Sequence, residues 1–176
     1  MSKILTTQLS GLLQRITQNE EEAIEETARL LAQAGIGAGN IYFACFGEMQ
    51  AIEVNALHGV ERFTKLLPWT KDTILEEADR VCIFTRSAFD EEALALAQKL
   101  NDDFIPFAAV ASEVSTVENP LADLAYTYIS TRIRGGLIPN DLGERIVVPH
   151  TIAALFIYEA IKMAFDEMLN LDEEEL

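Results

Sequence analysis

The 176-residue chain has two cysteines and two histidines, and its 29 acidic residues face only 13 basic ones. Each shortage excludes something. Cys45 and Cys82 each lie inside an apolar run, so no disulfide framework is expected, and a reduced thiol there packs as a small hydrophobe. Cys45 has no histidine or basic residue beside it in sequence, which argues against a nucleophile. With only His58 and His150, and no His/Cys cluster at ligand spacing, neither a metal nor another cofactor is expected. The formal net charge of −16 repels a polyphosphate backbone, which excludes nucleic acid as a partner. No segment reaches the ~20 apolar residues of a membrane helix, so no membrane partner is expected. Met1 to Gln8 also lacks the apolar core and cleavage site of a secretory signal, and the protein is read as cytoplasmic. No Gly-x-Gly-x-x-Gly follows either strong strand, against a dinucleotide-binding enzyme.

What is present describes one domain. At 49% hydrophobic composition the chain can bury a core without disulfides or metals. A single domain is expected over residues 1–170, with an acidic tail over 171–176. Leu5, Leu9, Leu12, Leu13 and Ile16 fall at helical spacing, and Asn19 with Glu22 reads as a capping box that opens a second helix. The glycine-rich turn Gly35 to Gly39 leads into Ile41 to Phe46, a charge-free run of β-favouring residues. Gly47 ends that run, and Met49 to Leu57 reads as a helix. The same order returns with the strand Val81 to Phe84, the loop Thr85 to Phe89 and a helix from about Asp90 to Leu100.

Further strands are expected at Phe104 to Ala111 and Tyr126 to Ser130. Strands alternating with helices predict a three-layer αβα sandwich around a parallel sheet of about five strands, in the flavodoxin-like manner. Such a sheet binds ligands outside the carboxyl ends of its strands. The last helix, from about His150 to Leu169, has no charge between Ile152 and Tyr158 and must be buried. Burying it partly against a second subunit predicts a homodimer or higher homo-oligomer. Thr131 to Val148 breaks the regular pattern and reads as a long loop, which in compact domains often serves function.

The order of these elements resembles the sugar isomerase (SIS) domain, in particular the small bacterial phosphoheptose isomerases and, closer still, a small bacterial family of SIS-like proteins. The resemblance rests on the two expected N-terminal helices, the approach Gly37-Ala38-Gly39-Asn40-Ile41-Tyr42 to a strand ending at Gly47, the unit Ala78 to Ser87 with its following helix, the Leu121-Ala122-Asp123 entry to a late strand, and Val147-Val148-Pro149-His150 before the closing helix. It implies a site in the loops after the first and second long strands, where hydroxyls and helix-start amides cradle a sugar derivative, phosphorylated or not. The candidate binding residues are Gly47, Thr85, Arg86, Ser87 and Asp90. Ser87 reads equally as a helix cap completed by Asp90.

Aldose–ketose isomerisation needs a base and an acid, and the resemblance assigns these roles to a glutamate and a histidine. Glu48 and His150 are the catalytic candidates, with Glu53 and His58 as positional alternatives; His58 also reads as a helix-end residue and His150 as a backbone contact. A carboxylate at each helix start, Glu48 and Asp90, competes for the amides that would hold a phosphate. Two functions are therefore expected from the family: a sugar-phosphate-binding isomerase, or a non-catalytic module that senses a sugar derivative or serves assembly. Arg132, Arg134 and Arg145 flank the Gly135-Gly136 loop, either to close over an anion or to pair with acidic surfaces of a second subunit.

Overall fold

The computed structural model describes residues 1–174, with side-chain surroundings for residues 1–170. The tail expected over 171–176 falls at and beyond that edge. The central strands are β1 (Ile41–Cys45), β2 (Leu66–Leu67), β3 (Arg80–Phe84), β4 (Phe107–Ala111) and β5 (Thr127–Ser130). All pair in parallel, in the order β2-β1-β3-β4-β5. β1 and β4 are buried at every residue, as charge-free runs covered on both faces require.

Alternate side chains feed two cores. Phe43, Cys45, Cys82, Phe84 and Val110 pack against α1 (Ser2–Ile36), α2 (Gln50–His58) and α5 (His150–Glu174). Tyr42, Ala44, Val81, Ile83 and Phe107 pack against α3 (Glu91–Asp102) and α4 (Pro120–Leu124). This is the expected αβα sandwich. The Phe43 ring meets Phe63, Phe84 and Tyr158 edge-on at centroid distances of 4.9, 5.4 and 6.0 Å. Both thiols are free and buried, and burial pushes each pKa up.

A buried carboxylate aligns the strand starts. Asp79 accepts from the Asn40 amide and the Glu76 amide, both at 2.8 Å. The approach is so close that a Cβ on Gly39 would lie 1.8 Å from the Ala78 carbonyl oxygen, so only glycine fits.

The N-terminus departs from expectation. Two helices were expected, but α1 is one helix of 35 residues. Asn19 caps nothing; its side chain donates to the Arg15 carbonyl at 2.7 Å, within the helix. Leu12, Ile16, Glu20 and Ile24 form one buried stripe, and tertiary contact along it carries the helix through the apparent capping box. Glu20 accepts from the Ser130 amide at 3.1 Å and from Arg132 Nε at 2.6 Å. Thr27 and Thr127 share a buried hydroxyl hydrogen bond of 2.7 Å. These two ties run α1 antiparallel to β5. At 1.5 Å per residue α1 is about 52 Å long, against about 17 Å for a five-residue strand, so its first half overhangs the carboxyl edge of the sheet.

Residues 131–148 lie under that overhang. The segment expected as a loop contains a short antiparallel hairpin, β6 (Ile138–Pro139) and β7 (Arg145–Ile146). Gly143 at φ +80° makes its turn. α5 buries Ala153, Ala154, Ile157, Tyr158, Ile161 and Phe165 within the chain. Its apolar first half therefore does not require a second subunit. Among the described residues, no helix is long and apolar enough to cross a membrane.

Candidate functional site

β3 neighbours β1 although β2 intervenes in sequence, and the helices that follow β1 and β3 leave to opposite faces of the sheet. A crevice opens between the two loops at such a switch point. Gly47, at φ +59°, turns the chain off β1 into a single 3-10 turn over Gly47–Met49. This aims Glu48 across the end of β3. Its two oxygens accept from Arg86 Nε at 2.8 Å and Nη2 at 2.7 Å, a bidentate pair. Gly47, Glu48, Thr85, Arg86, Ser87 and Asp90 line a cleft of about 290 Å³. The fold thus brings all the candidate binding residues, and Glu48 with them, to one place.

Their roles differ from expectation. Asp90, not Ser87, caps α3, accepting from the Ala93 amide at 2.8 Å. Ser87 instead donates to Glu113 Oε1 at 2.7 Å, and the Ala88 amide donates to Glu113 Oε2 at 2.7 Å. Ser112 adds a hydroxyl donor at 3.2 Å. A carboxylate from the end of β4 therefore sits in the cradle of hydroxyl and amide. Glu113 is the functional residue that sequence reasoning misses; its only signal is an acidic residue two positions beyond Val-Ala at a strand's carboxyl end. Thr85 is unpartnered, its hydroxyl buried with no hydrogen-bond partner among the described residues.

His150 begins α5 beside the cleft, close enough for Glu48, Arg86 and Glu113 each to influence its charging. Its Nδ1 is buried and unpartnered among the described residues. Glu53 and His58 are elsewhere: Glu53 accepts from the Trp69 amide at 3.1 Å, and His58 ends α2. Among the described residues, no group of three His, Cys, Asp or Glu side chains is placed to hold a metal ion.

The charges respond to this packing. The Arg86 hydrogen bond holds the Glu48 carboxyl below its usual range. Burial pushes Glu113 up, but the Ala88 amide and the Ser87 hydroxyl outweigh it, and the net shift is downward. Burial lowers His150 from 6.5, so its imidazole is neutral at pH 7. All three shifts act in one direction on stability. The depressed carboxyls contribute stability that is whole above the ordinary value of 4.5 and is lost as pH falls through their lower folded values. His150 adds a penalty once pH drops below 6.5, because the unfolded chain takes up that proton first. The net charge of −16 acts oppositely, since acid relieves self-repulsion. The thermal midpoint is expected to fall as pH drops from 7 to about 3, and below about 4.5 to fall less in a Glu48→Gln/Glu113→Gln variant. A midpoint that rises throughout, or an identical slope in the variant, contradicts this.

A five-stranded parallel sheet in this order, with its crevice between the ends of β1 and β3, is a doubly wound α/β fold, and the solved structures that share it are sugar isomerase domains. The chain belongs to the family described as domain of unknown function (DUF2529), whose model matches residues 1–169. It is 32% identical over 172 residues to the uncharacterized protein YwjG of Bacillus subtilis, covering 97% of this chain and 98% of that one. Among solved structures it is similar to a Bacteroides fragilis protein provisionally named a phosphosugar isomerase involved in capsule formation, with a TM-score of 0.67 at 16% identity, over 97% of this chain and 92% of that one. The sugar isomerase domain of an RpiR transcription factor from Sphaerobacter thermophilus matches with a TM-score of 0.64 at 17% identity, over 99% and 97% of the two chains. The Vibrio vulnificus NanR protein, complexed with ManNAc-6P, matches with a TM-score of 0.66 at 12% identity, over 98% of this chain and 64% of that one.

Proposed function

We propose that the domain binds a carbohydrate derivative in the crevice between the β1 and β3 loops, as a sensing module, and that the end of the ligand nearest Ser87 carries hydroxyls or an amine in place of a phosphate. The observation that carries this reading is the Glu113 carboxylate seated on the Ser87 hydroxyl and the Ala88 amide. A phosphate entering there would exchange hydrogen bonds already made, so the donors offer little net gain. It would also meet the charges of Glu48, Asp90 and Glu113 with only Arg86 opposing them. A like-charge pair at 4 Å costs about 1 kcal/mol in bulk water and about 4 kcal/mol at an effective dielectric of about 20. Repulsion therefore outweighs the gain. The unpartnered Thr85 hydroxyl under the cleft and the carboxylates suit the hydroxyls of a sugar, or an amine, instead. The sugar phosphate held by NanR supports a carbohydrate ligand on this fold.

Turnover is not favoured by the same contacts. A carboxyl held ionised by Arg86 is a weak base and no acid. The test is thermal unfolding with amino sugars, neutral sugars and their phosphate esters. An unphosphorylated sugar is expected to raise the midpoint, and Thr85→Val, by removing one hydroxyl donor, to weaken binding about five- to tenfold. If none of them stabilises the protein, or if Thr85→Val leaves their affinity unchanged, the reading fails. A second reading, aldose–ketose isomerisation, is favoured by the unpartnered His150 Nδ1 beside Glu48. Isomerisation that disappears in His150→Gln would put catalysis in place of sensing.

A further inference from the structure

The largest cavity among those described lies elsewhere, under the overhang of α1. It measures about 700 Å³ and is bounded by the first half of α1 and residues 132–137. Arg15, Arg132, Arg134 and Arg145 line it, and no acidic residue does. Four of the 13 basic residues in a chain of net charge −16 thus converge on one space. Chance scatter over an acidic surface would place carboxylates among them.

The four guanidinium groups are not equivalent. Arg132 is paired with Glu20. Arg145 donates from Nε to the Gly136 carbonyl at 2.8 Å and from Nη2 to the Leu137 carbonyl at 3.0 Å, contacts that hold it in place and leave its charge unopposed. Arg15 and Arg134 make no ion pair or side-chain hydrogen bond among the described residues. The backbone adds donors. The amides of residues 133 to 136 have no acceptor among the described residues. Successive amides without a protein acceptor, beside arginines, are donors of the kind that phosphate oxygens accept from.

We propose that this cavity binds a small polyanion carrying two or more phosphate groups, inorganic or organic. Three unopposed guanidinium charges exceed what a single carboxylate would balance, and the volume admits a diphosphate with an organic part against Leu12 and Leu137. The site uses none of the residues of the β1–β3 crevice, so either can fail without the other.

The test titrates the full chain with inorganic diphosphate and with a nucleoside diphosphate, by calorimetry at low and high salt. Arg15→Glu and Arg134→Glu are the variants, since both side chains are exposed and hold no other group in place. Saturable binding that weakens steeply with salt, and at least tenfold in each variant with an unchanged melting temperature of the free protein, is the expected result. Tighter binding of the nucleoside diphosphate assigns the organic part to the apolar wall; equal binding assigns recognition to the phosphates. Absence of saturable binding below ~1 mM, or affinity unchanged in both variants, overturns the proposal. So does a dimer in sedimentation that both charge reversals dissociate, because the arginines would then face a second copy.

Discussion

Removing the carboxylate of Glu113 is expected to raise the affinity of the β1–β3 crevice for phosphate esters. In Glu113→Ala the Ser87 hydroxyl and the Ala88 amide lose their acceptor, and an incoming phosphate gains both donors and loses one repulsive neighbour. Hydrogen bonds to a charged group contribute about 1.5–3 kcal/mol each. Two at the lower figure give roughly 100-fold tighter binding of a hexose phosphate. Glu113→Gln, which removes the charge but keeps an acceptor in the seat, should fall between. The measurement is best made with Arg15 and Arg134 both changed to Glu, so that an anion held under α1 does not enter the isotherm. Equal affinity of native chain and Glu113→Ala for the phosphate ester would sink the assignment of Glu113 as the occupant of the anion seat.

The second large effect is structural. Glu20 is 6% exposed and ties the middle of α1 to the end of β5 through the Ser130 amide and Arg132 Nε. Removing Glu20 leaves the Ser130 amide without its acceptor and the half-buried Arg132 without its partner, a loss of about 2–4 kcal/mol. That is a large share of a typical stability of about 5–15 kcal/mol. Glu20→Ala should lower the urea midpoint accordingly with an unchanged slope, while Glu20→Gln, which keeps an acceptor, should lose less. A loss below about 1 kcal/mol in Glu20→Ala would mean that the pair is solvated and α1 is held by its apolar stripe alone.

The sheet was legible because its evidence is local. Ile41 to Cys45, Val81 to Phe84 and Phe107 to Ala111 carry no charge and are too short for helices, so pattern placed them, although the strand expected from Phe104 starts only at Phe107, after a left-handed turn at Phe104. The carboxyl-end rule pointed to one side of the sheet, and the resemblance to sugar isomerase domains narrowed it to the two loops that carry Gly47, Glu48, Thr85, Arg86 and Ser87. What escaped was set by partners distant in sequence. Asn19-x-x-Glu22 has the residues of a capping box, and only the buried stripe around Glu20 shows that the helix does not stop there. Asp90 took the cap assigned to Ser87 because Ser87 had a stronger claim from a residue 26 positions away. Glu113 itself looked like any surface glutamate after a strand. Nothing within its own segment distinguishes a solvated carboxylate from one that fills an anion seat.

The two ties between α1 and β5 also order events during synthesis. Thr27 meets a partner 100 residues later and Glu20 one 110 residues later. At about 5–20 residues per second, the first helix to leave the ribosome waits roughly 5–20 s for the strand that holds it. During that interval only β1, β3 and β4 offer the helix native surface, and α5, its main partner, comes later still. The glutamates of Glu20-Glu21-Glu22 and Glu25-Glu26, which crowd the same helix, then keep nascent chains apart by mutual repulsion. One of them, Glu20, later becomes the anchor.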